Sequence, residues 1–129
     1  MNDVSTLLIG IVGPCSSGKS TLAKRLRGLG YEVREIRQEH SGVPTMWLRL
    51  TNPDVLIYLD VSVEAAVWRE GLSAVPSWWE EERSFRLAHA RAHCDLYVDT
   101  SAITPEETFR QVVEFLEIYQ TSNVKRQTS

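Results

Sequence analysis

The chain has 129 residues, of which 43% are hydrophobic and 24% are charged, and its formal net charge is -3 at pH 7. These totals are typical of one globular domain and exclude the overall basic excess that many nucleic-acid-binding domains carry. The sequence has no apolar run long enough to span a membrane and no signal-peptide pattern at its start. We therefore expect one cytoplasmic domain over residues 1–120, with a flexible tail at 121–129, that binds neither nucleic acid nor membrane.

The two cysteines, Cys15 and Cys94, form neither a disulfide framework nor a metal-ligand spacing. We expect both to be reduced thiols, as is usual in the cytosol. Because Cys15 lies inside a glycine-rich turn, we expect it to be a small filler there rather than a redox switch.

Predicted strands and helices alternate along the chain. Short apolar runs closed by glycine or aspartate predict strands, and apolar residues at helical spacing predict helices. Ser62 and Thr104 are expected to cap two of these helices. In chain order the predicted elements are strand 7–12, helix 20–29, strand 31–36, helix 44–50, strand 55–59, helix 63–70, helix 78–93, strand 96–98 and helix 105–120.

This alternation predicts an α/β fold in three layers, with a mainly parallel sheet of about four to five strands and helices on both faces. Ligands of such sheets bind at the carboxyl ends of the strands. We therefore expect the functional residues in the segments that follow strands, which are residues 13–21, 37–40, 60–62 and 99–101.

The stretch GPCSSGKST matches G-x-x-x-x-G-K-S/T at Gly13, Gly18, Lys19 and Ser20, between a predicted strand and a predicted helix. Glycines let the backbone curl so that its N–H groups point inward, and the following helix adds its positive end. Lys19 would neutralise the β- and γ-phosphates, and the Ser20 hydroxyl would bind Mg²⁺. The predicted nucleotide-binding residues of this turn are Gly13, Cys15, Ser16, Ser17, Gly18, Lys19, Ser20 and Thr21.

This strand, turn and helix resemble those of the P-loop NTPases. The second half of the chain resembles the small nucleoside and nucleotide kinases of that superfamily. PDVLIYLDVSVEAAVWRE is similar to the segment before their lid, and LYVDTS followed by TPEET is similar to their last strand and helix. The sequence has no base-recognition motif of the GTPase kind. The resemblance implies ATP and Mg²⁺ as ligands, with the adenine near Thr100, Ser101 and Ala102.

The chain departs from these kinases, which have about five parallel strands, because only four are predicted here. The segment that normally carries the Walker B strand is compressed into residues 37–54. Asp60 therefore has two interpretations. It is either the Walker B carboxylate that holds Mg²⁺ together with Ser20, or the aspartate that follows the pre-lid strand and caps the next turn.

Glu39 follows the second predicted strand, where the resembling kinases place an acidic residue. A carboxylate there could accept the proton of an attacking hydroxyl, and its alternative is a solvated strand end. Arg83 is the predicted lid arginine that stabilises the transferred phosphoryl group, and its alternative is an ion pair with neighbouring glutamates. Together with Lys19 these are the predicted catalytic residues. The predicted acceptor-binding residues are Gln38, His40, Trp47 and Arg49, with a core position as the alternative for Trp47.

The sequence therefore predicts a small-molecule kinase that transfers the γ-phosphoryl group of ATP to a nucleoside, a nucleotide or another small acceptor. The alternative is a nucleotide-binding sensor or interaction module without phosphotransfer, favoured by the missing Walker B strand and the short lid. Trp78 and Trp79 could seal a helix onto the sheet, cover an acceptor site or form a homodimer contact.

Overall fold

A computed structural model of the protein describes residues 7–128, with backbone only at residue 78 and residues 123–128. A 3₁₀ turn, Gln38–His40, follows the second strand, and a π-helical turn, Glu82–Arg86, joins two short helices. In chain order the strands and α-helices are β1 Leu8–Val12, α1 Lys19–Gly28, β2 Glu32–Glu35, α2 Met46–Leu50, β3 Val55–Asp60, α3 Val63–Glu70, α4 Trp78–Glu81, α5 Ala88–His93, β4 Leu96–Asp99 and α6 Pro105–Thr128.

The four strands form one parallel sheet in the order β2-β1-β3-β4, which confirms the predicted α/β class. β1 lies inside the sheet and pairs with β2 on one side and β3 on the other. In this register Ile11 is opposite both Glu35 and Ile57. Because all strands run the same way, the loops that follow them meet at one edge.

Helices cover both faces of the sheet, an arrangement compatible with a three-layer α/β fold. On one face Ile11 and Ile57 pack with Leu26 of α1 and Leu116 of α6. On the other face the core contains side chains of α2, of α5 and of the strands, together with residues that directly adjoin these elements. These are Val12, Ile36, Trp47, Leu56, Tyr58, Leu87 and Ala90.

The predicted helix over residues 78–93 is broken in the structure, which corrects the sequence prediction. In the π-helical turn the N–H of Leu87 donates to the carbonyl of Glu82 at 3.0 Å, the i to i+5 pattern. This turn lets Glu82 reach Cys15 while Arg83 reaches Asp60. These contacts join residues that are far apart in the sequence, so the spacing of residues within 78–93 does not predict them.

Two helix starts follow the predicted caps. The Ser62 hydroxyl accepts a hydrogen bond from the N–H of Ala65 at 3.1 Å. Thr104 and Glu107 form the reciprocal capping box, with N–H to oxygen distances of 2.8 and 3.0 Å. The second predicted helix begins instead at Met46, two residues after Pro44, because residues before it form turns.

α6 continues to Thr128, beyond the predicted end at residue 120. Residue 129 and residues 1–6 lie outside the described part of the chain, and flexibility of the tail stays a prediction. Among the described residues, no helix combines the length and the apolar character needed to cross a bilayer. Trp79 is buried against Val61 and Ala66, so it seals α4 onto the domain. The side chain of Trp78 lies outside the described residues, and a homodimer stays a prediction.

Candidate functional site

The segment between β1 and α1, residues 13–18, turns tightly at the carboxyl end of the central strand. Gly13 and Gly18 have φ values of 151° and 102°, and Ser16 has a φ of 69°. A Cβ atom at Gly13 would lie 2.0 Å from the carbonyl oxygen of Leu59. Only glycine fits this contact, so the first glycine of the motif is required by the pairing of β1 with β3. We call residues 13–18 the β1–α1 loop.

The start of α1 carries positive potential without a capping side chain. Its N-cap residue is Gly18, which has no side chain to cap the first turn, and that turn, within the described residues, contains no acidic residue. The first N–H groups of a helix have no partner within the helix, and they form its positive end. Together with the Lys19 ammonium, this turn has the chemistry of an anion-binding site.

Lys19 and Glu39, two of the predicted catalytic residues, meet in the structure. The Nζ atom of Lys19 lies 3.0 Å from Oε2 of Glu39 and donates to the carbonyls of Gly13 and Pro14 at 2.8 and 3.1 Å. The side chains of Lys19 and Glu39 are only 10% and 5% exposed. The second carboxylate oxygen of Glu39, Oε1, is buried and has no hydrogen-bond partner in the described part of the chain.

Ser20 contacts a carboxylate that the sequence analysis missed. Its hydroxyl donates to Oε1 of Glu35 at 2.7 Å. Glu35 is the last residue of β2, and its register opposite Ile11 brings it to the β1–α1 loop. The direct pairing of β2 with β1 could have pointed to Glu35 had the strand order been known. Ser20 and Glu35 therefore form a hydroxyl and carboxylate pair that could bind a hard cation.

Asp60 belongs to a different cluster at the end of β3. Its two carboxylate oxygens each lie 3.0 Å from Nη2 of Arg83, and it accepts the Tyr97 hydroxyl at 2.5 Å and the Val61 N–H at 2.8 Å. Burial, with the hydrogen bond to Asp60, raises the pKa of Tyr97 to about 12. The structure does not bring Asp60 into contact with Ser20. This geometry fits the second interpretation, an aspartate that ends a strand and fixes the next turn.

We expect Arg83→Met to lower the free energy of unfolding by about 3 kcal/mol, because it leaves the carboxylate of Asp60 buried without its cation. Asp60 is 3% exposed, so water cannot replace the guanidinium easily. Urea unfolding measures the change in the free energy of unfolding, and Arg34→Met, at an exposed position of β2, is the control. Unchanged stability would contradict a structural role and favour the lid role expected from the sequence.

Arg86, rather than Arg83, contacts the segment that carries Glu39. Nη1 of Arg86 donates to the Glu39 carbonyl at 3.2 Å, and Nη2 lies 3.4 Å from Oε1 of Glu81. Arg83 and Arg86 are three residues apart in the π-helical turn, yet Arg83 contacts Asp60 and Arg86 contacts the backbone of the predicted catalytic residue Glu39.

A cavity of about 340 Å³ lies on one side of the β1–α1 loop and includes Arg69, Thr100 and Ile103 in its wall. Arg69, which the sequence analysis missed, donates to the carbonyls of Ser16 and Thr100 at 2.7 and 2.5 Å. The Thr100 hydroxyl donates to the Ser17 carbonyl at 2.9 Å. These bonds tie the loop after β4 to the loop after β1.

The other residues predicted near adenine have different surroundings. The Ser101 hydroxyl donates to Asp99 at 2.5 Å and accepts the N–H of Ser62 at 2.7 Å. Ala102 is exposed. Of the three predicted residues, Thr100 is the one that lines the cavity.

A second cavity, of about 350 Å³, also lies beside the loop and shares Ser16, Ser17, Gly18 and Thr21 with the first. Its wall includes Cys15, Lys19, Ser20, Glu35 and Glu39. It therefore brings together a cation, two carboxylates and a hydroxyl beside the start of α1. An acceptor that entered this cavity would meet Glu39 and Lys19 together.

The predicted acceptor residues lie around a third cavity of about 320 Å³, which Gln38, His40 and Trp47 help to line. The buried Gln38 side chain donates to the Val43 carbonyl and accepts the Trp47 N–H, at 2.9 and 2.8 Å. Trp47 is a core residue, the alternative expected for it. Arg49 is exposed and does not line this cavity.

Cys15 is held by Glu82 from the π-helical turn. The Cys15 N–H and thiol donate to the two carboxylate oxygens of Glu82 at 3.2 and 3.6 Å. Burial, together with the negative charges of Glu82 and Glu39, raises the pKa of the Cys15 thiol to about 11. Burial also raises the pKa of Glu82. The thiol is therefore protonated at neutral pH and remains a hydrogen-bond donor.

No family model matches this chain, and a search of curated proteins found no match. The interpretation of the site accordingly depends on the glycine-rich motif and on the contacts described above. The Lys19–Glu39 pair beside the start of α1 is the feature with the most direct chemical meaning.

Proposed function

We propose that this protein binds ATP with Mg²⁺ at the β1–α1 loop and transfers the γ-phosphoryl group to a small hydroxyl or phosphate acceptor. The observation that carries the proposal is the uncapped start of α1, with Lys19 held 3.0 Å from the buried carboxylate of Glu39. Backbone donors and one ammonium group suit the phosphates, and the adjacent carboxylate suits an acceptor proton.

The residues present fit both ligands. Phosphate oxygens would take the place of the Gly13 and Pro14 carbonyls at the Lys19 ammonium, since a charged phosphate oxygen is a stronger acceptor for an ammonium than an uncharged carbonyl. Ser20 and Glu35 would hold Mg²⁺, which neutralises charge on the phosphates when bound. The cavity lined by Arg69 would hold the nucleoside part of ATP.

Glu39 is the residue that we assign as the general base. Glu39 lines the 350 Å³ cavity, and among the described residues its Oε1 atom has no hydrogen-bond partner, so this oxygen would accept the proton of an acceptor hydroxyl bound there. Lys19, on the other oxygen, holds the carboxylate in place. Arg86, bonded to the Glu39 carbonyl, fixes the backbone at the same position.

The purified chain should release ADP only when a suitable acceptor is added, in a screen of nucleosides, nucleotides and sugars. Glu39→Gln keeps the size of the side chain but cannot take up the proton, so we expect turnover to fall about 100-fold or more. ATP binding should persist, as calorimetry can check. Glu32→Gln, at an exposed position of β2, is the control and should keep full turnover. Equal turnover of the two variants would refute the assignment of Glu39.

The second candidate function is nucleotide binding without phosphotransfer. It is favoured by the missing Walker B strand. β1 pairs directly with β2, and residues 37–54, where that strand was expected, form no strand that could carry its carboxylate. Residues 37–54 would then respond to the γ-phosphate and bind a partner. ATP-dependent protection of these amides in hydrogen exchange, with no acceptor-dependent ADP release in the full screen, would favour this candidate over the kinase.

A further inference from the structure

Three chemically different side chains meet at the inner end of the β1–α1 loop. One potential ligand atom from each of Cys15, Glu39 and His40 lies within 4.8 Å of the other two. Cys15 follows β1, whereas Glu39 and His40 belong to the 3₁₀ turn after β2. Because β1 and β2 are paired and parallel, their carboxyl ends place these residues together although they are far apart in sequence.

The ligand set is characteristic of a borderline or soft metal ion. A thiolate and an imidazole bind Zn²⁺ and its neighbours in the first transition series, whereas Mg²⁺ prefers oxygen ligands. Tetrahedral Zn²⁺ with ordinary bond lengths holds its ligand atoms about 3.3–3.8 Å apart. The ligand atoms, which lie within 4.8 Å of one another, must therefore approach by at most about 1–1.5 Å. The His40 side chain is 55% exposed and so is free to rotate inward.

An independent observation also points to a missing ligand. Glu39 is 4% exposed, and its Oε1 atom has no hydrogen-bond partner, while Lys19 contacts Oε2. A buried carboxylate oxygen without a partner is costly and unusual in a folded protein. A cation bound between Glu39, Cys15 and His40, whose Nε2 atom lies 3.8 Å from Oε2 of Glu39, would give the carboxylate a second positive partner beside Lys19. A chain with this ion bound would not use Glu39 as the general base.

We propose that Cys15, Glu39 and His40 bind a single divalent transition-metal ion of the Zn²⁺ type. On binding, the metal–sulfur bond replaces the S–H bond of Cys15, and the proton leaves to water. Water or the nearby Glu82 carboxylate, 3.6 Å from the sulfur, completes the coordination. This ion is distinct from the Mg²⁺ assigned to Ser20 and Glu35, and its binding requires no nucleotide.

Titration of the full chain with Co²⁺ provides the test, because Co²⁺ is a coloured substitute for Zn²⁺. We expect a thiolate-to-metal charge-transfer band that saturates at one ion per chain, together with the intense visible bands of tetrahedral Co²⁺. Zn²⁺ added afterwards should abolish both, since Zn²⁺ has no geometric preference from d-electrons to give up in a tetrahedral site and therefore displaces Co²⁺ there. A wild-type chain without the charge-transfer band would overturn the proposal.

Matched variants assign the ligands. Cys15→Ser should lose the charge-transfer band, and His40→Ala should weaken Co²⁺ binding at least about tenfold. Cys94→Ser and His93→Ala, which alter the remaining thiol and an exposed histidine, should titrate as the wild type does. A band that survives Cys15→Ser, or that disappears with Cys94→Ser, would overturn the assignment. If circular dichroism shows that Cys15→Ser does not fold, the weakening of Co²⁺ binding in His40→Ala, a change at an exposed position, tests the ligand assignment instead.

The Lys19→Ala variant separates this proposal from the proposed function. It should lose ATP binding but keep the Co²⁺ spectrum, because Lys19 is not one of the three ligands. A variant that binds neither would show that the ion site depends on an intact ion pair and would contradict the ligand set. Nucleotide binding without any Co²⁺ spectrum in the wild type would leave the kinase proposal standing and remove the metal site.

Discussion

Lys19→Ala should abolish the rise in melting temperature that ATP with Mg²⁺ gives the wild-type protein. A ligand that binds only the folded state stabilises it by about 2.7 kcal/mol when its concentration is about 100 times Kd. The Lys19 ammonium is the one described cation in direct contact with both the β1–α1 loop carbonyls and Glu39. Its loss removes the main charge that would hold the β- and γ-phosphates. Differential scanning fluorimetry over an ATP concentration series measures the effect.

Lys24→Ala is the matched control for this prediction, because Lys24 is an exposed lysine of the same helix. Its melting temperature should rise with ATP as the wild-type value does. Lys19→Ala also leaves Glu39 buried without its cation, which lowers the melting temperature even without ATP. The quantity to compare is therefore the change in melting temperature on adding ATP. An equal ATP shift in both variants would refute the role of Lys19.

Gly13→Ala should destabilise the fold by at least about 3 kcal/mol, because it combines backbone strain with a clash. The φ angle of 151° is rare for a residue with a side chain, and the added Cβ atom would lie 2.0 Å from the Leu59 carbonyl oxygen. The backbone fixes the positions of both the Cβ atom and the carbonyl oxygen, so no change of rotamer relieves the contact. β1 and β3 would have to separate at the site.

The control for this prediction is Gly28→Ala at the end of α1, where an added Cβ atom meets no atom within 4 Å. Replacing glycine by alanine in a helix changes stability by about 1 kcal/mol or less, usually in favour of alanine. Guanidinium unfolding compares the two variants. If Gly13→Ala proved as stable as Gly28→Ala, the tight approach of the loop to β3 would be wrong.

Much of the fold is predictable from sequence because its signals are local. The apolar runs of β1 and β3 and the caps Ser62 and Thr104 specify their elements without reference to the rest of the chain. The π-helical turn is different, since it accompanies the contacts of Glu82 and Arg83 with other parts of the chain. No spacing within residues 78–93 encodes those partners.

The candidate site divides in the same way. The β1–α1 loop is a contiguous motif, so the motif predicts its position and its glycine conformations. Glu35 beside Ser20 and Arg69 beside Thr100 depend on strand order and helix packing, which the sequence does not state. The apolar run before Asp60 left two interpretations open, a metal-binding partner of Ser20 or a turn-fixing aspartate, and in the structure Arg83 and Tyr97 occupy its carboxylate.

The central claim is that backbone amides at the start of α1 hold phosphate, and amide hydrogen exchange of residues 16–21 tests it most directly. We expect these amides to exchange more slowly when ATP with Mg²⁺ or inorganic triphosphate is added, and to be unaffected by adenosine. Lys19→Ala should lose this protection. Exchange rates at residues 16–21 that stay the same with saturating triphosphate would contradict the claim.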